Sequence, residues 1–282
     1  MNMQNRKNKI LTVQDLSCVG QCSLSVAMPI LSAFGMETCV LPTAILSEHT
    51  MFKNFTFLDL AKNMEDMIES WKADNHRFSA VYTAYLGRKE HFTIVNKAIR
   101  ELSEKDALLV VDPVFGDNGK LYSMFDDAYV AEVRAFMQGA QIILPNITEA
   151  CYLTGQAYTP KCDRAKAQSL IAELKKIGSF DIVLTGVEEG EQIGFAAYSS
   201  KTQKTEFFFA PKLKGSFHGT GDVFASVFTG AYLANNDLFK AAQAAALFVA
   251  ACIQATEDGH VYGVQFEKVL AEFAHQYLQN KQ

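Results

Sequence analysis

Short β-branched runs alternate with amphipathic helical stretches along most of the chain, and no other feature constrains its fold as tightly. Residues 10–14 (ILTVQ) read as a first strand, followed by Gly20 and a helical stretch from Ser23 to Phe34. Residues 38–42 (TCVLP) form a second strand-like run, 57–71 (FLDLAKNMEDMIESW) a helix, 79–85 (SAVYTAY) a strand, and Lys89 to Leu102 a helix. The buried-strand run 107–113 (ALLVVDP) ends at a proline. A loop and a helix near 126–137 lead to 140–146 (AQIILPN), a helix starting at Thr148, another over 163–178, and a strand at 181–186. Strands alternating with helices imply right-handed βαβ units and a mostly parallel sheet covered on both faces. The pattern then changes. Residues 192–200 and 204–211 lie close together as an antiparallel hairpin, and 221–234, 237–256 and 265–279 are helical. With no Pro/Gly/Ser linker, repeat or low-complexity segment, one α/β domain over residues 1–282 is expected.

Composition narrows the function classes. At 49% hydrophobic and 20% charged residues the chain can bury a sizeable core. A net charge of -5 without basic runs argues against nucleic acid as a partner. The longest apolar stretch, 238–253, is interrupted by Lys240 and Gln243 and falls short of the ~18 to 20 clean residues of a membrane span. The N-terminal stretch is polar, without the apolar core of a signal peptide. The six cysteines are spread through apolar runs and read as reduced thiols, and Cys18 and Cys22 have no second pair to complete a zinc site. A cytoplasmic protein without membrane or nucleic-acid partners is expected.

In open α/β sheets ligands bind beyond the carboxyl ends of the strands. Those ends collect Asp15 and Ser17, then Asp112, Gly116 and Asp117, then Asn146 and Glu149, then Thr185 and Gly186. Each alone could be a cap or a turn residue. No P-loop occurs, and the single Gly-x-Gly, at Gly219 and Gly221, follows a loop and lacks the third glycine of a dinucleotide fingerprint. His-Glu-x-x-His and Gly-x-Ser-x-Gly are absent too. What holds is 215–234 (GSFHGTGDVFASVFTGAYLA), a Gly-rich turn running into an apolar helix. Its first-turn N–H groups and positive dipole end suit a phosphoryl group in transfer. Asp222 sits inside that turn. It could cap the helix, but Ser216, Gly219 or Thr220 could cap it instead, leaving Asp222 to take the proton of an attacking hydroxyl.

At this motif the sequence resembles the ribokinase-type carbohydrate and vitamin kinases, over nearly the whole chain. Gly219-Thr220-Gly221-Asp222 resembles their anion hole and catalytic base, and Asn146-x-x-Glu149 their magnesium and phosphate motif. Within the superfamily the chain is most similar to the pyridoxal kinases, through residues 13–14 (VQ), 43–50 (TAILSEHT), 84–87 (AYLG), 112–117 (DPVFGD) and 144–150 (LPNITEA). The resemblance implies a three-layer α/β/α fold with a mostly parallel central sheet. It implies no separate lid domain, since the strand insertion that sugar kinases carry between their first strands is missing. It also implies ATP-dependent phosphorylation of the 5′-hydroxymethyl group of pyridoxal, and of pyridoxine or pyridoxamine, in a homodimer.

By the same resemblance Asp222 would be the base, and Gly219, Thr220 and Gly221 would donate to the transferring phosphoryl. Glu149 and Asn146 would position magnesium through waters, with Asp112 and Asp117 near the phosphates and cations; a monovalent cation is left open. Thr185 and Ala210, Pro211, Lys212 and Leu213 would border ATP, and Asp15, Ser47, His49, Thr50, Met51 and Tyr85 the pyridine ring. Asp15 departs from the pattern, since pyridoxal kinases commonly have Ser there. His218 stands beside the anion turn as either a loop residue or a participant. The rival enzyme is a hydroxymethylpyrimidine kinase, a branch that has Cys after its Gly-Thr-Gly. The rival of another class is a non-catalytic vitamin B6-binding protein.

Overall fold

The strands expected from the alternation form one sheet, and its order decides which loops meet. The structure is a computed structural model that describes residues 9–213, 215 and 217–279. The polar residues 1–8 and Ser216, a candidate cap of the anion turn, lie outside the described residues. The first half of the chain runs β1 (Lys9–Ser17), α1 (Leu24–Ala33), β2 (Glu37–Leu46), β3 (Phe57–Asp59), α2 (Ala61–Ala73), β4 (Phe78–Thr83), α3 (Lys89–Leu102), β5 (Ser103–Val111), β6 (Gly116–Asp117), β7 (Lys120–Leu121) and α4 (Asp127–Phe136). After a 3-10 turn at Met137–Gly139 come β8 (Ile142–Ile143), α5 (Ile147–Thr154), α6 (Arg164–Leu174), β9 (Asp181–Glu189), β10 (Gln192–Ser199), β11 (Lys204–Pro211), α7 (Thr220–Asn235), α8 (Leu238–Ala255) and α9 (Glu267–Gln279).

The strand order is β11-β10-β9-β8-β5-β4-β1-β2-β3. From β2 to β9 the neighbours are parallel; β3 pairs antiparallel with β2 at one edge, and β9, β10 and β11 pair antiparallel at the other. Successive residues of a strand point to opposite faces, and the core divides accordingly. Leu11, Val81, Val111, Ile143 and Ile182 pack with Met64, Val95, Val133 and Leu170 of α2, α3, α4 and α6. Their neighbours Ile10, Ala80, Val110, Ile142 and Val183 pack with Ile30, Val227 and Ala245 of α1, α7 and α8. The result is three layers with helices on both faces of the sheet. Between β1 and β2 lies α1 and no strand, as expected without a lid insertion.

Three details differ from expectation. Residues 57–59 pair with β2 as an edge strand before the helix begins at Ala61, with Asp59 Oδ1 accepting the Ala61 N–H at 2.8 Å. The loop after Pro113 contains a small hairpin, β6 to β7. The apolar stretch near residue 240 does reach helix length for a membrane span, 18 residues. In this fold Ala241, Ala242, Ala245, Phe248 and Cys252 bury one face of that helix in the core.

Candidate active site

The sheet order splits the carboxyl-end rim into two halves. Residues expected around the ring lie near the end of β1 (Asp15) and after β2 (His49) and β4 (Tyr85), the two strands that flank β1. Residues expected around ATP lie on β9 (Thr185), on β11 (Ala210, Pro211) and just after it (Lys212, Leu213), and an isolated bridge ties Asn146 to Thr185. Asp112 follows β5, between the two halves.

The anion turn opens α7. Gly219 precedes the helix with φ 80, a left-handed conformation that favours glycine. A β-carbon there would also collide with the backbone carbonyl oxygen of Gln21. None of the candidate capping groups among the described residues caps this helix. The Thr220 hydroxyl donates to the Phe217 carbonyl at 3.3 Å. The Ser23 N–H lies beside Asp222 and favours its ionised form. The first-turn N–H groups thus have no side-chain cap among the described residues, at the positive end of a 16-residue helix whose Val223, Val227, Phe228 and Ala231 are locked in the core.

Four carboxylates surround this turn. Burial raises Asp222 from 3.8 to about 6, against the Ser23 N–H that lowers it. Asp15 is only 4% exposed. Burial raises it from 3.8 to about 6, with the Asp222 charge adding to the rise, while the Ser23 and Ser17 hydroxyls hold it down. The Ser17 hydroxyl donates to Asp15 Oδ2 at 3.1 Å. Asp112 is pushed well above the usual carboxylate range by burial and then by the charges of Glu149 and Asp222, against the Val114 N–H. Glu149 is raised to about 7 by burial, although the backbone N–H groups of Asn146, Phe115 and Gly116 favour its ionised form. These carboxylates disfavour one another's ionised form, which is the environment a cation relieves.

Asn146 and Glu149 build a capping box at the start of α5. The Asn146 side chain accepts the Glu149 N–H at 2.9 Å, and Glu149 Oε2 accepts the Asn146 N–H at 2.9 Å. Glu149 Oε1 accepts the Phe115 N–H at 3.0 Å, and Asn146 Nδ2 donates to the Gly116 carbonyl at 2.8 Å. The pair therefore clamps the loop after β5 to the start of α5. Asp117 lies at the tip of the β6–β7 hairpin, its two oxygens accepting from Asn118 N–H and Nδ2 at 2.8 Å each.

The remaining expected residues divide. Tyr85 is beside Asp15, whose charge adds to the burial that raises its hydroxyl to about 12. His49 is buried and its ring lies tilted by 36° against that of His218 with centroids 4.6 Å apart, which brings the loop after β2 against the anion turn. Ser47 closes that loop, its hydroxyl accepting the Thr56 N–H at 2.8 Å. Thr50 and Met51 are exposed on it. The Lys212 ammonium pairs with Glu188 at 2.6 Å, so as it stands it is committed to β9.

Sequence reasoning missed Ser23 and Tyr122. Ser23 touches both Asp15 and Asp222, and its only sequence signal is a small polar residue at a helix start, which reads as a cap. The Tyr122 hydroxyl is raised by burial and by the charges of Glu149, Asp117, Asp222 and Asp112. Nothing in the local sequence marks it.

The phosphomethylpyrimidine kinase family model matches residues 29–265. The chain is similar to a Bacteroides thetaiotaomicron protein crystallised with pyridoxal: 36% identity over 94% of this chain and 95% of that one, with a TM-score of 0.89. It is also similar to the pyridoxal kinase of Lactobacillus plantarum, at 30% identity over 96% of this chain and 98% of that one, with a TM-score of 0.86. It is 27% identical to the pyridoxal kinase of Dictyostelium discoideum over 239 residues, 79% of this chain and 77% of the relative. With a family model spanning most of its length, an uncapped anion turn and a carboxylate rim, the chain belongs to the phosphomethylpyrimidine kinase family and has the ribokinase-like kinase fold.

Proposed function

We propose that this chain is an ATP-dependent kinase that phosphorylates the 5′-hydroxymethyl group of pyridoxal, and of pyridoxine or pyridoxamine. The observation that carries the proposal is the placement of Asp222. It lies half-buried in the first turn of a helix that has no side-chain cap among the described residues, beside the Ser23 N–H. In the proposed reaction Asp222 accepts the proton of the hydroxymethyl group, whose oxygen bonds to the γ-phosphorus of ATP as the bond to ADP breaks. The N–H groups of Gly219, Thr220 and Gly221 face the charge that spreads over the phosphoryl oxygens. Asp15 and Tyr85 border the ring. Thr185 and residues 210–213 border the nucleotide, with Lys212 exchanging Glu188 for a phosphate.

Magnesium fits the donor set. Asp112 and Glu149 are hard oxygen donors whose ionised forms repel each other, and Asn146 and Asp117 stand at the same rim. Bound there, the ion would neutralise phosphate charge. Since both Glu149 oxygens already accept backbone N–H groups, its contact with the ion would run through water. Glu149→Gln places an NH2 where an acceptor is needed. It is expected to cost about 1–3 kcal/mol in folding stability and to raise the magnesium needed for half-maximal activity. A melting curve and a magnesium titration read the two effects. Equal titrations for both proteins would leave Glu149 as a capping residue only.

The pH dependence follows from Asp222. A base with a pKa near 6 is ionised above it, so kcat/KM is expected to fall as pH drops through about 6. A pH–rate profile with its acid limb near the ordinary Asp value of 3.8 would contradict the burial of the base.

Substrate choice rests on Asp15. A buried carboxylate favours a partner that donates to it, and a protonated pyridine nitrogen or the ring 3-hydroxyl does so. The pyrimidine of the thiamine precursor lacks that hydroxyl but offers an amino group, so discrimination is partial. The family model, whose description is a pyrimidine kinase, favours that second substrate. A coupled assay with ATP, the three B6 vitamers and hydroxymethylpyrimidine decides. Pyridoxal is expected to give the higher kcat/KM, and Asp15→Ala to lower it by about tenfold or more. Preference for the pyrimidine would replace the proposal with the rival, and no turnover of any of them would leave a binding protein.

We also propose a single domain, since both core clusters share one sheet. Cytoplasmic residence is proposed from the six free cysteines, and a homodimer from the family resemblance.

A further inference from the structure

Tyr85 is held at its backbone by one set of residues and at its hydroxyl by another, and the second set starts from the far half of the rim. Its carbonyl accepts from the Thr43 hydroxyl of β2 at 3.3 Å. The next carbonyl, that of Leu86, accepts from Nδ1 of His91, a fully buried residue of α3. The side chain is fixed separately. The Tyr85 hydroxyl donates to Met124 Sδ at 3.6 Å, and its ring lies 5.4 Å from that of Phe125. Phe125 in turn stacks on Tyr129 of α4 with centroids 3.8 Å apart. Met124 itself is 49% exposed. Burial gives little reason for a methionine there, and what it brings to Tyr85 is a sulfur acceptor.

Met124 reaches Tyr85 from a strap, residues 115–125, whose other end is bonded to the start of α5. The Phe115 N–H and the Gly116 carbonyl are clamped by Glu149 and Asn146. The Gly119 N–H donates to the hydroxyl of Thr148, a buried residue of the same helix start, at 2.9 Å. The strap then folds back on itself. The Tyr122 N–H donates to the Phe115 carbonyl and the Phe125 N–H to the Tyr122 carbonyl, at 3.0 Å each. The position of the Met124 sulfur therefore depends on Asn146, Thr148 and Glu149, which stand beside the metal and nucleotide and not beside the ring.

We propose that Met124 is a positioning residue: its sulfur sets the Tyr85 side chain against the pyridine ring, and the strap that carries it ties that setting to the start of α5. An aromatic wall already fixed in place lowers the ordering cost of binding. The proposal rests on the assignment of Tyr85 to the ring above. It predicts that loss of the sulfur weakens ring binding through Tyr85, without touching the nucleotide or the stability of the fold.

The test compares the wild-type protein with Met124→Leu, Tyr85→Phe, their double variant, Thr148→Val and Tyr85→Ala. The kcat, the KM for pyridoxal and for ATP, and the melting temperature are measured for each. Met124→Leu keeps the volume of the side chain and removes the acceptor. It is expected to raise the pyridoxal KM by about three- to tenfold, with kcat, the ATP KM and the melting temperature unchanged. Tyr85→Phe is expected to do the same, and the double variant to add nothing, as for two residues acting through one bond. Thr148→Val frees the strap at Gly119 and is expected to raise the pyridoxal KM as well. A wild-type pyridoxal KM in Met124→Leu would overturn the proposal by making the sulfur dispensable. Additive effects of Met124→Leu and Tyr85→Phe would overturn it by making Met124 act independently of the Tyr85 hydroxyl. A wild-type pyridoxal KM in Thr148→Val would overturn the tie to α5. A wild-type pyridoxal KM in Tyr85→Ala would show that the ring assignment had failed and would take the proposal with it, while turnover by the wild-type protein would still stand for the kinase.

Discussion

Asp222→Asn is expected to lose turnover by about 10² or more while binding ATP normally and melting at or above the wild-type temperature. The substitution keeps the shape of the side chain and one carbonyl oxygen beside the Ser23 N–H. It removes a charge that is costly where it stands, because burial disfavours the ionised carboxylate and both Asp15 and Asp112 feel its repulsion. A residue whose role is only to cap or brace the helix would show the opposite pattern, lower stability with little loss of rate. Steady-state kinetics, nucleotide titration and a thermal melt separate the two. Near-normal turnover would remove Asp222 as the base.

Two glycines of the anion turn should fail in different ways. Gly219→Ala puts a β-carbon on a backbone at φ 80 and drives it into the Gln21 carbonyl. Something must shift, and what shifts is the turn that aims the N–H groups, so turnover is expected to fall by about 10²–10³ together with the melting temperature. Gly221→Ala meets nothing within 4 Å and lies in the first turn of α7. Alanine there gains up to about 1 kcal/mol of helix propensity, so the fold should hold or strengthen. The added methyl group enters open space in front of the helix start. If that space receives the phosphoryl group, Gly221→Ala is inactive and stable; an active Gly221→Ala would place the phosphoryl group elsewhere.

Much of the frame was legible because it depends on local pattern. The alternation of strands and helices, the closing hairpin and the Asn146-x-x-Glu149 start of α5 are written in neighbouring residues, and the capping box is visible as such. Two local elements were legible and passed over. Asn118-Gly119, with φ 52 and 77, is a strong two-residue hairpin signal that makes β6–β7 out of a stretch read as loop. Phe57–Asp59 was absorbed into a helix whose apolar spacing begins in the same window. Other features depend on partners far along the chain. Lys212 is held by Glu188, His49 by His218, and Gly219 is required because Gln21 passes behind it. No spacing rule reaches those pairs, which only the sheet order brings together. Ser23 is the sharpest case, because a serine before an apolar helix normally signals a cap, and here it makes no side-chain cap bond and sits at φ 49.

The carboxylate rim also ties the folding equilibrium to protons. Asp15 and Asp222 titrate near 6 in the folded protein and near 3.8 in an unfolded chain. Between those values the folded form binds more protons than the unfolded form, so stability falls as pH rises across that window and stays lower above it. At neutral pH the unliganded protein therefore holds Asp15 and Asp222 ionised against its own folding energy. Anything that binds only the folded form and brings positive charge to the rim restores what was lost, by mass action on the folded state. Substrate and metal would then act as folding ligands as well as reactants, and cells poor in either would hold this protein in its least stable form.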